Sequence, residues 1–412
     1  MGTNMANPVK VSRQVSLRIV MQIIAKEGPI SRATLAKQTG LSKQTISEVV
    51  KQLQESDWVK VTGQTKGHVG RTAVNYEINP TSSGIVVVDL GGTKVRAVVV
   101  NLVGNVTSDL TELTDPRGKT SVTDQIVRMC KVVIQQSSID ENRIKLAVIG
   151  VPGVPNISDG SVSMAPNIDG LDSINVRGLI SESLGIDVIL ENDVNLAVLG
   201  EQWLGDEDEL GLDNLVFISL GTGIGAGIII DGQIVRGING AAGELGFMPF
   251  GRDPMSASAL RSGALENAVG TDAIVSLYKD KVGESKSVKE IFSRARKGDS
   301  DAMDVVSEIA FELARAIATI SALINPGKIM MGGSIGSQDI LIEAINNQIS
   351  KFMNNAPVIA VSTLDGNAPL IGGIAIGLEQ HHATLFAVDV GGGAIGTQIP
   401  APKRSDFLGG LN

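Results

Sequence analysis

Two glycine-rich turns are the parts of this chain best suited to chemistry. The first, Asp89-Leu90-Gly91-Gly92-Thr93-Lys94, lies between two apolar runs, Ile85 to Val88 and Val95 to Val100, that read as strands. Glycines 91 and 92 leave no side chain to block an approaching phosphate, and their backbone N–H groups can donate to it. Asp89 could hold Mg²⁺, directly or through water, and Thr93 adds a hydroxyl. The second turn, Gly221-Thr222-Gly223-Ile224-Gly225-Ala226-Gly227, follows the strand Leu215 to Leu220. A dinucleotide fingerprint is excluded, because that motif needs a helix after its glycines. Here Ile228-Ile229-Ile230-Asp231-Gly232-Gln233-Ile234-Val235 reads as strand, turn and strand. The same device used twice suits two similar lobes gripping one nucleotide.

A different chemistry occupies residues 1–80. They hold 11 Lys+Arg against 5 Asp+Glu, whereas the remaining 332 residues hold 24 against 39. A basic head on an acidic body suggests that only the head meets a polyanion. Gln14 to Lys26 has apolar residues at helical spacing and is ended by Gly28-Pro29. Ser31 can cap a helix over Arg32 to Thr39, closed by Gly40. Ser42 can cap another over Lys43 to Glu55, with Ile46, Val49, Val50 and Leu53 inward. Its other side carries Lys43, Gln44, Thr45, Ser47 and Lys51, the set expected at DNA together with Ser42. Such a helix-turn-helix puts its last helix in the major groove, where Gln44 can read adenine and Lys43 can read guanine or hold a phosphate. Trp58 to Val61 and Ala73 to Ile78 read as wing strands around a basic tip with Lys66, His68 and Arg71. Asn79-Pro80-Thr81-Ser82-Ser83-Gly84 reads as a linker.

Composition narrows the field. Hydrophobic residues make up 43% of the 412 and charged residues 19%, enough apolar material for sizeable cores. No apolar run is long enough for a membrane span, and the start lacks a signal-peptide core, so the expected compartment is the cytoplasm. Cys130 is the single cysteine, which excludes an intramolecular disulfide and a cysteine-rich metal site. The three histidines, His68, His381 and His382, leave no histidine for a catalytic centre in mid-chain. His381-His382 reads as an exposed helix end, and Asp389-Val390-Gly391-Gly392-Gly393 as a tail turn.

Several motifs in order resemble those of the ROK family, which joins repressors, open reading frames and sugar kinases. They are DLGGTK (89–94), VPGV (151–154), APN (165–167), ENDVN (191–195), GTGIGAG (221–227) and GGSIG (332–336). The resemblance covers about residues 12–382 and is closest to the xylose and N-acetylglucosamine repressor branch. It implies an α/β chain, with an N-terminal winged helix-turn-helix (1–80) and a two-lobed actin/hexokinase-like, ribonuclease H-like ATPase fold. The lobes would span 84–203 and 204–382, with a tail over 383–412. It further implies that Asn167, Asn192 and Asp193 contact sugar hydroxyls, and that Asp193 would be the general base of a kinase. Gly332 and Gly333 would lie on the adenosine side.

The family's zinc segment is altered. Its Gly-Glu-x-Gly-His and Cys-x-Cys-Gly-x-x-Gly-Cys-x-Glu pattern fits residues 243–266 without a gap. Phe247 stands at the histidine, and Ala257, Ala259 and Ala264 stand at the cysteines. Glu244, Gly263 and Glu266 remain, so zinc is expected to be absent, with apolar packing in its place and both glutamates kept for sugar. The expected protein is a sugar-responsive DNA-binding regulator, a repressor, with a sugar or sugar phosphate in the cleft and a homodimer or homotetramer on DNA. ATP and Mg²⁺ fit the motifs without being required. Two alternatives stay open: an ATP-dependent sugar kinase using Asp193, and a DNA-binding protein whose body only dimerises.

Overall fold

The structure is a computed structural model that describes residues 8–66, 72–165, 167–205, 212–251 and 253–385. The head is built from α1 (Pro8–Glu27), β1 (Ile30–Ser31), α2 (Arg32–Thr39), α3 (Lys43–Glu55), β2 (Val59–Lys66) and β3 (Thr72–Ile78). The caps form as the sequence requires. Ser31 Oγ accepts from Thr34 N, Ser42 Oγ accepts from Thr45 N, and Gly40 is left-handed at φ 70°. Ile46, Val49, Val50 and Leu53 enter a core shared with Val20, Ile24, Leu35 and Tyr76. Two features differ from expectation. Helix α1 starts earlier, at Pro8, and β1 adds a third strand by pairing with β3.

The body holds two five-stranded sheets of one topology. The first uses β4 (Gly84–Leu90), β5 (Lys94–Asn101), β6 (Val106–Leu113), β7 (Ile144–Val151) and, after the short hairpin β8 (Val154–Pro155) and β9 (Val162–Ser163), β10 (Asp187–Asn192). Its order is β10-β7-β4-β5-β6. The second uses β11 (Leu215–Leu220), β12 (Ile224–Ile230), β13 (Gln233–Ile234), β14 (Lys328–Gly332) and β15 (Val358–Val361), in the order β13-β12-β11-β14-β15. In each sheet three strands run as an antiparallel meander. Two more then join in parallel. The parallel pairs need helical crossovers. Helix α4 (Lys119–Gln136) serves the first sheet, and α5 (Val176–Leu184) precedes β10. Helix α6 (Asp193–Leu204) leads from the first sheet to the second. The second sheet is covered by α7 (Ala257–Ser262), α8 (Glu266–Val269), α9 (Thr271–Val282), α10 (Val288–Arg296), α11 (Ser300–Ile324), α12 (Gly333–Gly336) and α13 (Asp339–Ile349). Each glycine turn joins the first two strands of its own sheet, so the two turns are equivalent corners of a duplicated unit.

The last helix, α14 (Ala368–Leu385), packs with α6 and against β4 and β7 of the first sheet. A single core joins Ile85, Val87 and Val148 to Phe217, Ile229 and Met330 through Ala197, Ile371 and Ile374. Two expectations are corrected where this helix ends. The segment 79–84 is a packed junction, not a loose linker: Pro80–Ser82 forms a 3₁₀ turn, and Ser82 and Ser83 are buried. His381 and His382 are buried, not exposed. Ser83 Oγ donates to Arg143 O (2.7 Å) and accepts from His381 Nε2 (2.7 Å), and His382 Nε2 donates to Leu102 O (3.1 Å). Burial, with the neighbouring His382, pushes His381 down to about 4, so the ring is neutral at neutral pH, and its Nε2–H tautomer makes that hydrogen bond. Arg143 pairs with Asp57 of the head at 3.1 Å, and Leu102 enters the head's core. Among the described residues no helix is long and apolar enough to cross a membrane.

Candidate functional site

A cleft of about 780 Å³ opens between the lobes. Its walls bring together Gly92, Asn167, Asn192, Asp193, Gly221, Thr222, Gly223, Glu244 and Glu266. These positions span 175 residues of chain, and the fold converges them because each comes from a strand end or from a loop clamped to one. Asp89, Gly91, Thr93, Gly332 and Gly333 do not line it. Gly91 and Thr93 hold the first turn instead: Thr114 Oγ1 donates to Gly91 O (2.6 Å) and Thr114 N to Thr93 O (3.0 Å). Packing explains Gly332 and Gly333. A Cβ on Gly332 would lie 2.3 Å from the Phe217 ring, and one on Gly333, at φ 81°, would lie 2.3 Å from Leu220 O.

The side chains divide by what they already bind. Asn192 caps α6, its Oδ1 accepting from Val194 N and Asn195 N (both 2.9 Å), while Nδ2 donates to Gly153 O (2.9 Å). Its amide therefore sets the start of α6 and the 152–153 wall before any ligand arrives. Glu266 Oε2 accepts from Ile224 N at 3.2 Å, and a Cβ on Gly223 would fall 2.3 Å from that oxygen. Glycine at 223 is what lets Glu266 lie against the second turn. Asn167 sits where a Cβ on Gly92 would come within 3.2 Å of it.

Desolvation dominates the electrostatics. Asp193 is pushed up to about 7 by burial first, then by the charge of Asp89, with Glu244 adding to both. Asp89 rises to about 6 by burial, against the pull of Arg96 and Lys94. Glu244 and Glu266 are also raised, mainly by burial. An acid near 7 can accept a proton from a hydroxyl and release it again at neutral pH. It also costs stability. The folded state holds this proton where the unfolded state has lost it, so stability falls as pH rises from about 4 to about 7 and is level beyond. Asp193→Asn, which mimics the protonated form, is expected to raise the melting temperature by a few degrees at pH 8, and by less at pH 5. Thermal scans at both pH values check this, and an equal shift at each would contradict it.

The segment that resembles the family's zinc site is held by the backbone. Leu265 N donates to Gly246 O at 2.9 Å, and a Cβ on Gly263 would come within 2.3 Å of that same oxygen. Ala259 and Ala264 are buried, but Ala257 is exposed and Phe247 is 44% exposed at the cleft. The expected apolar packing therefore involves only two of the four positions. None of the four offers a soft or imidazole donor, so the residues present do not fit zinc.

Residues outside the expected set also matter. Lys119, Phe247 and Arg261 line the cleft, and Arg236 crosses between the lobes to Glu191. Glu191 was visible within ENDVN, but nothing local in the sequence pairs it with a residue 45 positions away. On the head, Lys43, Gln44 and Lys51 are exposed and Thr45 and Ser47 half-buried on the outer face of α3, after the cap residue Ser42. Gln44 Nε2 donates to Glu48 Oε1 at 3.1 Å. Lys66 ends β2, while His68 and Arg71 lie outside the described residues.

The ROK family model matches residues 85–380, and the MarR family model matches residues 11–68. The xylose repressor of Caldicellulosiruptor bescii is 26% identical, over 88% of this chain and 95% of its own. A glucokinase of Halalkalibacterium halodurans is 29% identical, over 69% of this chain and 92% of its own. The crystal structure of a ROK family transcriptional regulator, a homologue of the E. coli Mlc protein, superposes with TM-score 0.71 at 24% identity. It covers 92% of this chain and 100% of its own, which establishes the fold. With a duplicated body matched over residues 85–380, the chain belongs to the ROK family and carries a MarR-type winged-helix head.

Proposed function

We propose that this protein is a sugar-responsive transcriptional repressor of carbohydrate uptake or catabolism genes. The observation that carries this reading is the seating of a winged-helix head, with the polar face of α3 outward, on a body with a cleft rich in hydroxyl acceptors. Kinases of the family share the body; the head is what a repressor adds. Asn167, Asp193, Glu244 and Glu266 would take sugar hydroxyls, and Phe247 offers an apolar wall to a sugar ring. Asn192 shapes the site through the cap of α6.

The coupling would run through contacts already described. Asp193 is the first residue of α6. Helix α6 lies on α14, and the end of α14 holds Ser83 and Leu102 at the base of the head. A ligand that prefers one lobe angle would shift the spacing of two heads on a dimer. Paired heads would read an approximate palindrome.

A second reading, phosphoryl transfer to a sugar hydroxyl, is favoured by the position and raised pKa of Asp193. In that case Gly92 and the turn 221–223, which line the cleft, would face the phosphates, with Asp89 buried behind the first turn. The nucleotide would supply the phosphoryl group, and the protein's part would be to orient the hydroxyl and accept its proton.

Calorimetry with xylose, glucose, N-acetylglucosamine and glucose 6-phosphate tests the cleft. One of them is expected to bind, and Glu244→Ala is expected to weaken it at least tenfold, since two hydrogen bonds to a carboxylate are worth about 3 kcal/mol. A gel shift on the protein's own upstream region should show a complex that the same sugar dissolves. A head that binds no DNA, or a complex indifferent to every sugar that binds, would refute the proposal.

A further inference from the structure

We propose that Arg236 is a positioning residue for the cleft: its ion pair with Glu191 joins the lobes and holds the Asn192–Asp193 edge against the loop that carries Glu244. The inference deepens the sugar-binding reading and rests on it for its affinity test.

Glu191 is the penultimate residue of β10, and its side chain is only 6% exposed. Each of its oxygens is committed. Oε1 accepts from Asn192 N and from Asn195 Nδ2, both at 3.0 Å. Oε2 meets Arg236 Nε and Nη2, both at 2.7 Å. The carboxylate thus grips the two residues that flank Asp193 and its helix start with one oxygen, and the opposite lobe with the other.

Arg236 is equally well placed on its own side. It lies two residues beyond β13, and its carbonyl accepts from Ala242 N at 3.1 Å, which closes the 236–242 loop. The next residue, Gly243, is anchored to β12. Ala226 N donates to Gly243 O at 2.8 Å, and a Cβ on Gly243 would fall 1.9 Å from Ala226 O. Glu244 follows at once. One guanidinium therefore spans from the strand end that positions Asp193 to the loop that positions Glu244.

The cleft needs such a strut. Asp193 and Glu244 are both acids of this cleft: the charge of Glu244 makes Asp193 harder to ionise, and that of Glu266 does the same to Glu244. Like charges push the walls apart, and the Arg236–Glu191 pair, neutral as a unit, ties them mechanically beside the site without occupying it. Asn195 Oδ1 is buried with no partner, while its Nδ2 stays on Glu191.

The test uses full-length protein and three variants: Arg236→Met, Arg236→Lys and Glu191→Gln. The last keeps the side-chain shape and serves if Arg236→Met fails to fold. Hydrogen exchange without ligand is expected to quicken in Arg236→Met over both 189–195 and 235–244, on opposite lobes. Quickening confined to 235–244 would overturn the proposal. Calorimetry with the sugar that binds wild type is expected to show at least tenfold weaker binding in Arg236→Met and Glu191→Gln, with Arg236→Lys restoring part of it. Affinity within twofold of wild type would overturn it as well. If wild type binds none of the sugars, the sugar-binding reading falls, while the exchange pattern still decides the strut.

Discussion

Replacing Gly372 with alanine is expected to destabilise the protein by about 3 kcal/mol, although alanine is favoured over glycine inside a helix by about 1 kcal/mol. The two effects have opposite signs, and the contact decides. A Cβ at 372 would lie 1.8 Å from Leu196 O, 2.6 Å from Leu196 C and 3.0 Å from Gly200 N. All three are backbone atoms of α6, so no rotamer change relieves the clash. Gly200 makes the reciprocal approach, its Cβ position lying 2.3 Å from Ala368 O. The two helices are in backbone contact, and carbon and oxygen need roughly 3.5 Å. Moving α14 outward would strip Ala197, Val198, Ile371 and Ile374 of their neighbours in the core that joins the sheets. Gly366→Ala is the control, since nothing lies within 4 Å of its Cβ position. Denaturant unfolding of both variants checks the difference. A Gly372→Ala protein as stable as wild type would show that α6 and α14 are not packed this way. Because this seam would also carry a signal from cleft to head, a surviving Gly372→Ala fraction is expected to bind DNA with a blunted response to sugar.

The head was legible because its signals are local. Ser31, Gly40 and Ser42 act on neighbours within a few residues, and Ile46, Val49, Val50 and Leu53 mark a helix face by spacing alone. The two glycine turns were legible as strand corners for the same reason, and their equivalence in two sheets follows from the repeat. What the sequence concealed depends on distant partners. His381 and His382 look like an exposed polar end until Ser83 and Leu102, some 280 to 300 residues earlier, are folded over them. Arg236 has no local partner to announce it. Gly332 and Gly333 resemble a nucleotide loop, yet Phe217 and Leu220 already require glycine there. Motif identity and packing need coincide at these positions, so the motif alone does not separate a binding loop from a tight corner.

The double variant Lys43→Ala/Gln44→Ala is expected to lose about 100-fold in affinity for the operator while keeping the wild-type melting temperature. A bidentate amide–adenine contact is worth about 1–3 kcal/mol, and a phosphate contact adds a salt-dependent share. Both side chains are exposed at the start of α3, so their loss leaves the head's core intact. Gln44 is held by Glu48 in the free protein, and that exposed hydrogen bond is weak enough to exchange for a base edge at little cost. Its presence makes a second prediction of opposite sign. Glu48 is exposed beside Gln44 on the face of α3 that would meet the duplex, so Glu48→Gln should tighten binding to any duplex while narrowing the margin between operator and unrelated DNA. The two terms separate by salt titration. Loss of Lys43 should lower the slope of log affinity against log salt by about one, whereas loss of Gln44 should leave the slope unchanged and lower affinity for the operator alone. A double variant that binds operator as wild type does would remove α3 from the groove, and with it the reading of this head as the part that meets DNA.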